Sequence, residues 1–206
     1  GAVVNYPNSS SDNCSGEIIT QSTGLSSGSV FPVGTTTNTF IVTDASGNTA
    51  TCSFNITVTD SENPTITCNI PVSVNNDLGS CGAVVTYSNS SSDNCSGEII
   101  TQSAGLPSGS IFPIGTTTNT FVVTDASSNT ATCSFDITVT DNENPTISCN
   151  SPIVVNNELG ICGAVITFSN SSTDNCIGET IAQTVGLASG STFTVGTTTN
   201  TFVVTD

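Results

Sequence analysis

The chain is written in a period of 81 residues, and no other feature constrains its fold as much. Residues 1–60 align without gaps on residues 82–141 and differ at nine positions. Cys14, Cys95 and Cys176 are spaced by the same 81 residues, as are Cys52 and Cys133, Cys68 and Cys149, and Cys81 and Cys162. Stacked solenoid repeats run to about 20–50 residues. A period of 81 is instead the size of a small domain with its own core. The chain therefore reads as domains in tandem: a partial unit over residues 1–60, a complete unit over 61–141 and a partial unit over 142–206. Two arrangements account for the partial units: a window on a continuous array, or subunits that complete one another by donating a strand. Gly1 opens in a strand-like run with no signal peptide before it, as expected of a segment of a longer or processed chain.

Each period is all-β in pattern. Over residues 131–141, Cys133, Phe135, Ile137 and Val139 alternate with polar residues, the period-two signature of a half-buried strand. Residues 116–124 form the strand before it, and Asp125 to Asn129 joins the two as a hairpin turn; the first copy has Asp44 to Asn48 there, with Gly47 in the turn. Residues 65–68, 72–74, 82–87 and 98–102 supply further short strands, separated by Pro, Gly, Ser and Asn clusters. No helical periodicity appears. The expected fold is all-β: tandem immunoglobulin-like Greek-key β-sandwich domains, stapled by disulfides and arranged as an extended rod. The chain has no Trp, so the core Trp of the immunoglobulin domain itself is missing.

A unit this small with few large apolar residues needs staples, and each period carries four cysteines, at the positions of Cys68, Cys81, Cys95 and Cys133. Four cysteines allow three pairings. The expected scheme is Cys68–Cys81 with Cys95–Cys133, and hence Cys149–Cys162 and Cys14–Cys52, because the first partial copy then keeps a self-contained pair. The odd ninth cysteine, Cys176, would have its partner 38 residues on, beyond Asp206. Zinc is the rival, but no spacing resembles C-x₂-C and there is no His. Disulfides place the chain in an oxidising, extracellular compartment, secreted or at a cell surface.

Charge excludes much of the remaining chemistry. The chain has 16 Asp and Glu and no Lys, Arg or His, for a net charge of −16. Without cations it cannot neutralise phosphates, so nucleic acid is not an expected partner, nor is a polybasic contact with a membrane. No run approaches the roughly 20 apolar residues of a membrane helix, so direct membrane insertion is not expected either. No Ser-His-Asp, Cys-His or Lys-based nucleophile can be assembled. The carboxylates Asp93 and Glu98 remain as a pair of the glycosidase kind. They recur in every unit without a cleft-forming insertion, and the chain is not expected to be an enzyme.

The strings Asp93-Asn94-Cys95-Ser96-Gly97, Phe112-Pro113-Ile114-Gly115-Thr116-Thr117 and Asp125-Ala126-Ser127-Ser128-Asn129-Thr130-Ala131-Thr132-Cys133 resemble the hyalin repeat (HYR) domain. So do Glu143-Asn144-Pro145-Thr146-Ile147-Ser148-Cys149 and Gly160-Ile161-Cys162-Gly163-Ala164-Val165. The resemblance covers all units. It implies an immunoglobulin-like fold in extracellular, often adhesive, multidomain proteins, and it carries no catalytic residue set. Near-identical tandem copies look most like the giant surface adhesins of gliding or biofilm-forming Bacteroidetes-type bacteria.

Candidate sites follow the period. The linker Asp60, Glu62, Asn63 and its copy Asp141, Glu143, Asn144 are similar to the calcium-binding linkers between cadherin domains. Calcium takes about six to eight oxygen ligands, and the immunoglobulin-like topology would bring Asp93 and Asp125 to the first linker, and Asp174 and Asp206 to the second. The plainer reading is that Asp125 closes an Asx turn, Asp93 caps a loop and the linker is solvated. Sequons at Asn8, Asn13, Asn55, Asn89, Asn94 and Asn170 are candidate N-glycan sites, though a chain rich in Ser, Thr and Asn generates sequons by chance. The Ser-rich loops 8–11, 89–92 and 170–173 are candidates for O-glycans. The Thr ladders 35–39, 116–120 and 197–201 suggest a flat ice- or carbohydrate-binding face, or ordinary strands. Together these point to the stalk of an extracellular filament or adhesin, giving reach, stiffness and protease resistance, whose partners are neighbouring repeats or copies in a fibre. The alternative is a module that recognises a glycan or surface through its loops. Tyr6, Tyr87 and Phe168 share one repeat position, so no copy is specialised as a binder.

Overall fold

A computed structural model describes the whole chain, Gly1–Asp206. Every regular element is a strand. In the middle repeat, four strands form one sheet in the order Ile99–Ala104, Gly115–Thr124, Thr130–Thr140, Val72–Asn75. Gly82–Val84 pairs with Ile111–Pro113, and Thr65–Thr67 with Ser90–Ser92, to build the facing layer of the sandwich. The first repeat has the same central hairpin, Gly34–Thr43 against Thr49–Val58, with Ile18–Thr23 on its outer edge. The third has Thr180–Val185 against Thr201–Thr205. By internal packing the residues divide into two compact units. One comprises Gly1–Ile66, Ser91–Thr101 and Val122–Thr132; the other comprises Thr67–Ser90, Gln102–Phe121 and Cys133–Asp206.

The alternation read from residues 131–141 is the burial pattern of the strand: Phe135, Ile137 and Val139 are all buried while their neighbours face out. Phe121 stacks on Phe135, and Phe112 and Val123 are buried as well. Tyr87 packs edge-on against Phe112, Phe121 and Phe135, with ring centroids 6.5, 5.8 and 5.1 Å away. Its hydroxyl donates to the Leu106 carbonyl at 2.6 Å. Tyr6 repeats this arrangement with Phe31, Phe40 and Phe54, and Phe168 repeats it with Phe193 and Phe202. The shared aromatic position thus belongs to the core rather than to a ligand-binding face. In the third repeat a groove runs along Val154, Phe168, Phe193 and Phe202.

A polar knot lies beneath each hairpin. Asn119 is fully buried, and its Oδ1 accepts the Leu106 N–H at 2.9 Å and Gln102 Nε2–H at 3.2 Å. Gly105, at φ +89°, passes so close that a Cβ there would stand 2.7 Å from Asn119 Cγ and 2.8 Å from its Cα. Only glycine fits, by backbone conformation and by space. The same trio recurs as Asn38, Leu25 and Gln21, and as Asn200, Leu187 and Gln183.

The disulfides correct the expected pairing. Cys68 bonds Cys133, not Cys81, and Cys81 bonds Cys176. Cys14, Cys52, Cys95, Cys149 and Cys162 are free thiols, so the expected pairs Cys14–Cys52, Cys95–Cys133 and Cys149–Cys162 do not form. The first bond follows from strand register. Val72–Asn75 runs parallel to the last strand, with Val72 opposite Ile137, an offset of 65 residues. Cys68 and Cys133 are separated by the same 65 residues and continue that alignment. The second bond lies outside any scheme confined to one period. It also supplies Cys176 with a partner inside the chain.

Candidate functional site

The acidic linkers and the loops around Cys95 and Cys176 form the candidate site. Asp125 is spent on its turn: Oδ1 accepts the N–H groups of Ser127 at 2.9 Å and Asn129 at 2.7 Å, and Oδ2 accepts Asn129 Nδ2–H at 2.8 Å. Burial pushes its acidity toward the neutral form, but these hydrogen bonds outweigh it and leave the carboxyl below its ordinary pKa. Asp44 makes the same turn in the first repeat, and the side chain of Asn48 holds its pKa down despite some desolvation. Asn129 reaches further and donates to the Asp60 carbonyl at 3.3 Å, so the turn and the linker are joined through Asn129.

Asp60 and Asp93 do converge. Their carboxylates and the Cys95 sulfur lie within 4.8 Å of one another, and Asp141, Asp174 and Cys176 repeat the group. Asp60 Oδ1 accepts the Glu62 N–H at 3.2 Å, and Asp93 Oδ2 accepts the Cys95 N–H at 3.0 Å. The other oxygens, Asp60 Oδ2 and Asp93 Oδ1, are buried without a hydrogen-bond partner. Cys95 lies against the Asp60 carboxylate, short of a well-formed hydrogen bond. That polar interaction, then burial and the Asp60 charge, push its thiol pKa up, while the Gly1 ammonium acts in the opposite direction. Two unpartnered carboxylate oxygens suit a hard cation such as calcium; a thiol does not. Glu62 Oε2 is engaged by Asn94 Nδ2 at 2.6 Å, and Asn63 is exposed.

The second linker is organised differently, around residues 76–81. Glu143 Oε1 accepts Asn76 Nδ2–H at 2.9 Å and the Gly79 N–H at 2.7 Å. Asn76 Oδ1 accepts the Asn142 N–H at 3.1 Å, and Asn175 Nδ2 donates to the Ser80 carbonyl at 3.0 Å. The Cys81–Cys176 bond closes this cluster. Asp141, Cys176, Glu179 and Asp206 line a small pocket beside it, and Asn144 is exposed. Asn76 and Ser80 were not singled out in the sequence. The only signal was that Asn76 and Cys81 recur one period on, as Asn157 and Cys162.

The other candidates are surface groups. Asn8, Asn13, Asn55 and Asn94 are exposed, whereas Asn89 and Asn170 are half-buried. Asn55 Oδ1 accepts the Thr37 hydroxyl at 2.8 Å, and Asn89 Oδ1 accepts the Asn69 N–H at 3.3 Å. Asn94 commits to Glu62 the nitrogen that an N-glycan would occupy. The Thr ladders are turned toward their neighbouring strand: Thr116 Oγ1 pairs with Thr138 Oγ1 at 3.1 Å, and Thr118 donates to Asp136 at 2.7 Å. Glu98 is half-buried at the start of the strand Ile99–Ala104.

The HYR domain model matches this chain three times, over residues 1–58, 59–139 and 140–206. The chain is 39% identical over 188 residues to a protein named hyalin from Strongylocentrotus purpuratus, covering 87% of this chain and 16% of that one. It is 30% identical over 213 residues to hyalin from Lytechinus variegatus, covering 100% of this chain and 40% of that one. The chain thus spans less than half the length of either relative. Among solved structures, the protocadherin gamma B7 extracellular cadherin domains 1–4 align at TM-score 0.34 and 14% identity, over 83% of this chain and 57% of that one. The protocadherin gamma B4 extracellular domain aligns at 0.36 and 17%, over 84% and 37%.

Proposed function

Because the chain belongs to the HYR domain family, in three tandem matches, we propose that it is a structural repeat of an extracellular stalk or filament that carries tension from repeat to repeat. The observation that carries this reading is the Cys68–Cys133 bond. Chain enters the middle repeat through the linker before Thr65 and leaves it after Thr140. The bond ties the entry to the near end of the exit strand, so tension crosses two sulfurs and bypasses the residues between. No helix is long and apolar enough to cross a membrane. Two disulfides fit an oxidising compartment. The role is non-catalytic, and its partners are adjacent repeats. The named relatives come from sea urchins. The bacterial surface setting rests on the near-identity of the copies alone.

Single-molecule stretching tests the reading. The bond hides a loop of 65 residues, which at about 3.4 Å per residue holds about 220 Å of chain. The oxidised middle repeat should withhold that length, and the reduced one should release it. Equal extension in both states would overturn the proposal. A saturable glycan or surface ligand would favour the adhesive alternative.

Calcium belongs to the same reading in a narrower form, held by Asp60 with Asp93 and by Asp141 with Asp174. Asp125 contributes to the turn, and Glu143 to the seating of residues 76–81. Calcium should raise the melting temperature of the native chain and not that of the Asp60→Asn, Asp93→Asn variant. An equal rise in both would place binding elsewhere. Glycans on the exposed Asn8 and Asn13 complete the proposal; an intact mass of 20.7 kDa would refute them.

A further inference from the structure

The bond between Cys81 and Cys176 crosses a repeat boundary, since the two cysteines fall in successive HYR matches. It is the covalent part of a larger seat. The middle repeat contributes residues 76–81. The next repeat receives them with Asn142, Glu143 and Asn175, by the four hydrogen bonds described above.

Both halves of this seat occur again. One period earlier, Asn94 and Cys95 stand at the positions of Asn175 and Cys176, and Asp60 and Glu62 at those of Asp141 and Glu143. The receiving loop keeps its shape: Asp93 Oδ2 accepts the Cys95 N–H at 3.0 Å, as Asp174 Oδ2 accepts that of Cys176 at 3.0 Å. Its polar groups are turned on one another. Glu62 holds Asn94 at 2.6 Å, Cys95 is a free thiol, and Asp60 Oδ2 and Asp93 Oδ1 lack partners. One period later the donating loop also keeps its shape. Asn157 Nδ2 donates to the Ile161 carbonyl at 3.1 Å, as Asn76 Nδ2 donates to that of Ser80 at 3.0 Å, and Cys162 is free.

The strand register at Ala2 points to the occupant. Ala2 lies opposite Phe31 as Ala83 lies opposite Phe112, so Gly1 takes the place of Gly82, which follows Cys81.

We propose that Glu62, Asn94 and Cys95 are the receiving half of a covalent inter-repeat joint. Its occupant is the counterpart of residues 76–81 from a preceding HYR repeat, whose cysteine bonds Cys95. Cys162 is the donating half of the same joint for a following repeat. The inference rests on the tandem reading of the chain and adds the partner of each seat. Closing the joint joins two thiols. Each sulfur gives up its proton, and the pair gives two electrons to a small-molecule disulfide such as oxidised glutathione, whose own S–S bond breaks to yield two thiols.

The test uses the full chain extended before Gly1 by Asn-Asp-Leu-Gly-Ser-Cys, the sequence of residues 76–81. It is refolded in a glutathione redox buffer, alkylated and digested at Asp and Glu without reduction. Five thiols are free in the native chain. In the extended chain four should alkylate, and the added cysteine should be found on a Cys95 peptide, with Cys81–Cys176 in the same digest as the standard for correct folding. Alkylation of Cys95 beside an intact Cys81–Cys176 bond, or Cys95 bonded to any other cysteine, would overturn the proposal. An extension ending in Ser should leave Cys95 alkylated, and its protection there would also count against a disulfide. Thiol mapping is independent of stretching, so this joint and the load-bearing reading fail separately.

Discussion

Replacing Gly105 by Ala should damage the middle repeat far more than the same change at Gly109. Both glycines have left-handed backbone, at φ +89° and +85°. A side chain there costs about 1–2 kcal/mol in either case. At Gly109 nothing lies within 4 Å of the added Cβ, so that strain is the whole effect. At Gly105 the Cβ meets Asn119 Cγ at 2.7 Å and Cα at 2.8 Å, and Asn119 is fully buried. The side chain must move and give up its bonds from Leu106 N–H and Gln102 Nε2. Two hydrogen bonds at about 1 kcal/mol each bring the cost to about 3–4 kcal/mol. Domains hold only about 0.05–0.15 kcal/mol per residue, so this is a large part of the stability of one repeat. The chain has two Tyr and no Trp. Tyr6→Phe therefore leaves Tyr87, inside the middle core, as the only tyrosine reporter. With a urea slope of about 1 kcal/mol/M, the midpoint should fall by about 3 M for Gly105→Ala and by about 1 M for Gly109→Ala. Equal shifts for the two variants would refute the steric argument and leave only backbone strain.

Ser128 has φ 74°, where the first repeat has Gly47 at φ 88°. Ser128→Gly should therefore stabilise the middle repeat by about 1 kcal/mol, or about 5 °C in melting temperature, and an unchanged Tyr87 transition would contradict this. Asp44 and Asp125 have folded pKa values below the ordinary 3.8. Their contribution is present above 3.8 and is lost as pH falls through the lower folded values. Melting measured down to about pH 2 should show an acid loss that Asp125→Asn reduces in the middle repeat and Asp44→Asn in the first; unchanged profiles would remove these carboxylates as the cause.

What was legible in the sequence was whatever depends on neighbours along the chain. Alternation from Cys133 to Val139 gave the buried face of the last strand, and the Asp125-to-Asn129 motif gave its turn. Pairing across the fold was not legible. Cys68 and Cys81 look like a local pair, but the parallel register of Val72 with Ile137 sends Cys68 to Cys133. A period taken as a boundary allows pairs only within one unit and leaves no place for Cys81–Cys176. Asn119 escaped notice because a buried asparagine looks like any other in a chain rich in them. Its role appears only when the fold brings Gly105 against it.

In a stalk of the kind proposed, the two disulfides would divide the work of bearing tension. Val72–Asn75 and the end of Thr130–Thr140 lie parallel, with entry at one end and exit at the other. With Cys68–Cys133 open, tension applied through the flanking linkers would load that ladder in shear, so its hydrogen bonds would have to give way together rather than one by one. While closed, Cys68–Cys133 continues the same alignment at the entry side and keeps the loop it closes out of the path of tension. It can do nothing for the linker from Asp141 onward, which lies outside its loop. Cys81–Cys176 spans that linker, with Glu143 and Asn175 holding the same loop non-covalently. The first bond therefore guards the repeat and the second guards the joint. A reductant that opened only Cys81–Cys176 should free the motion of the joint while leaving the middle repeat inextensible.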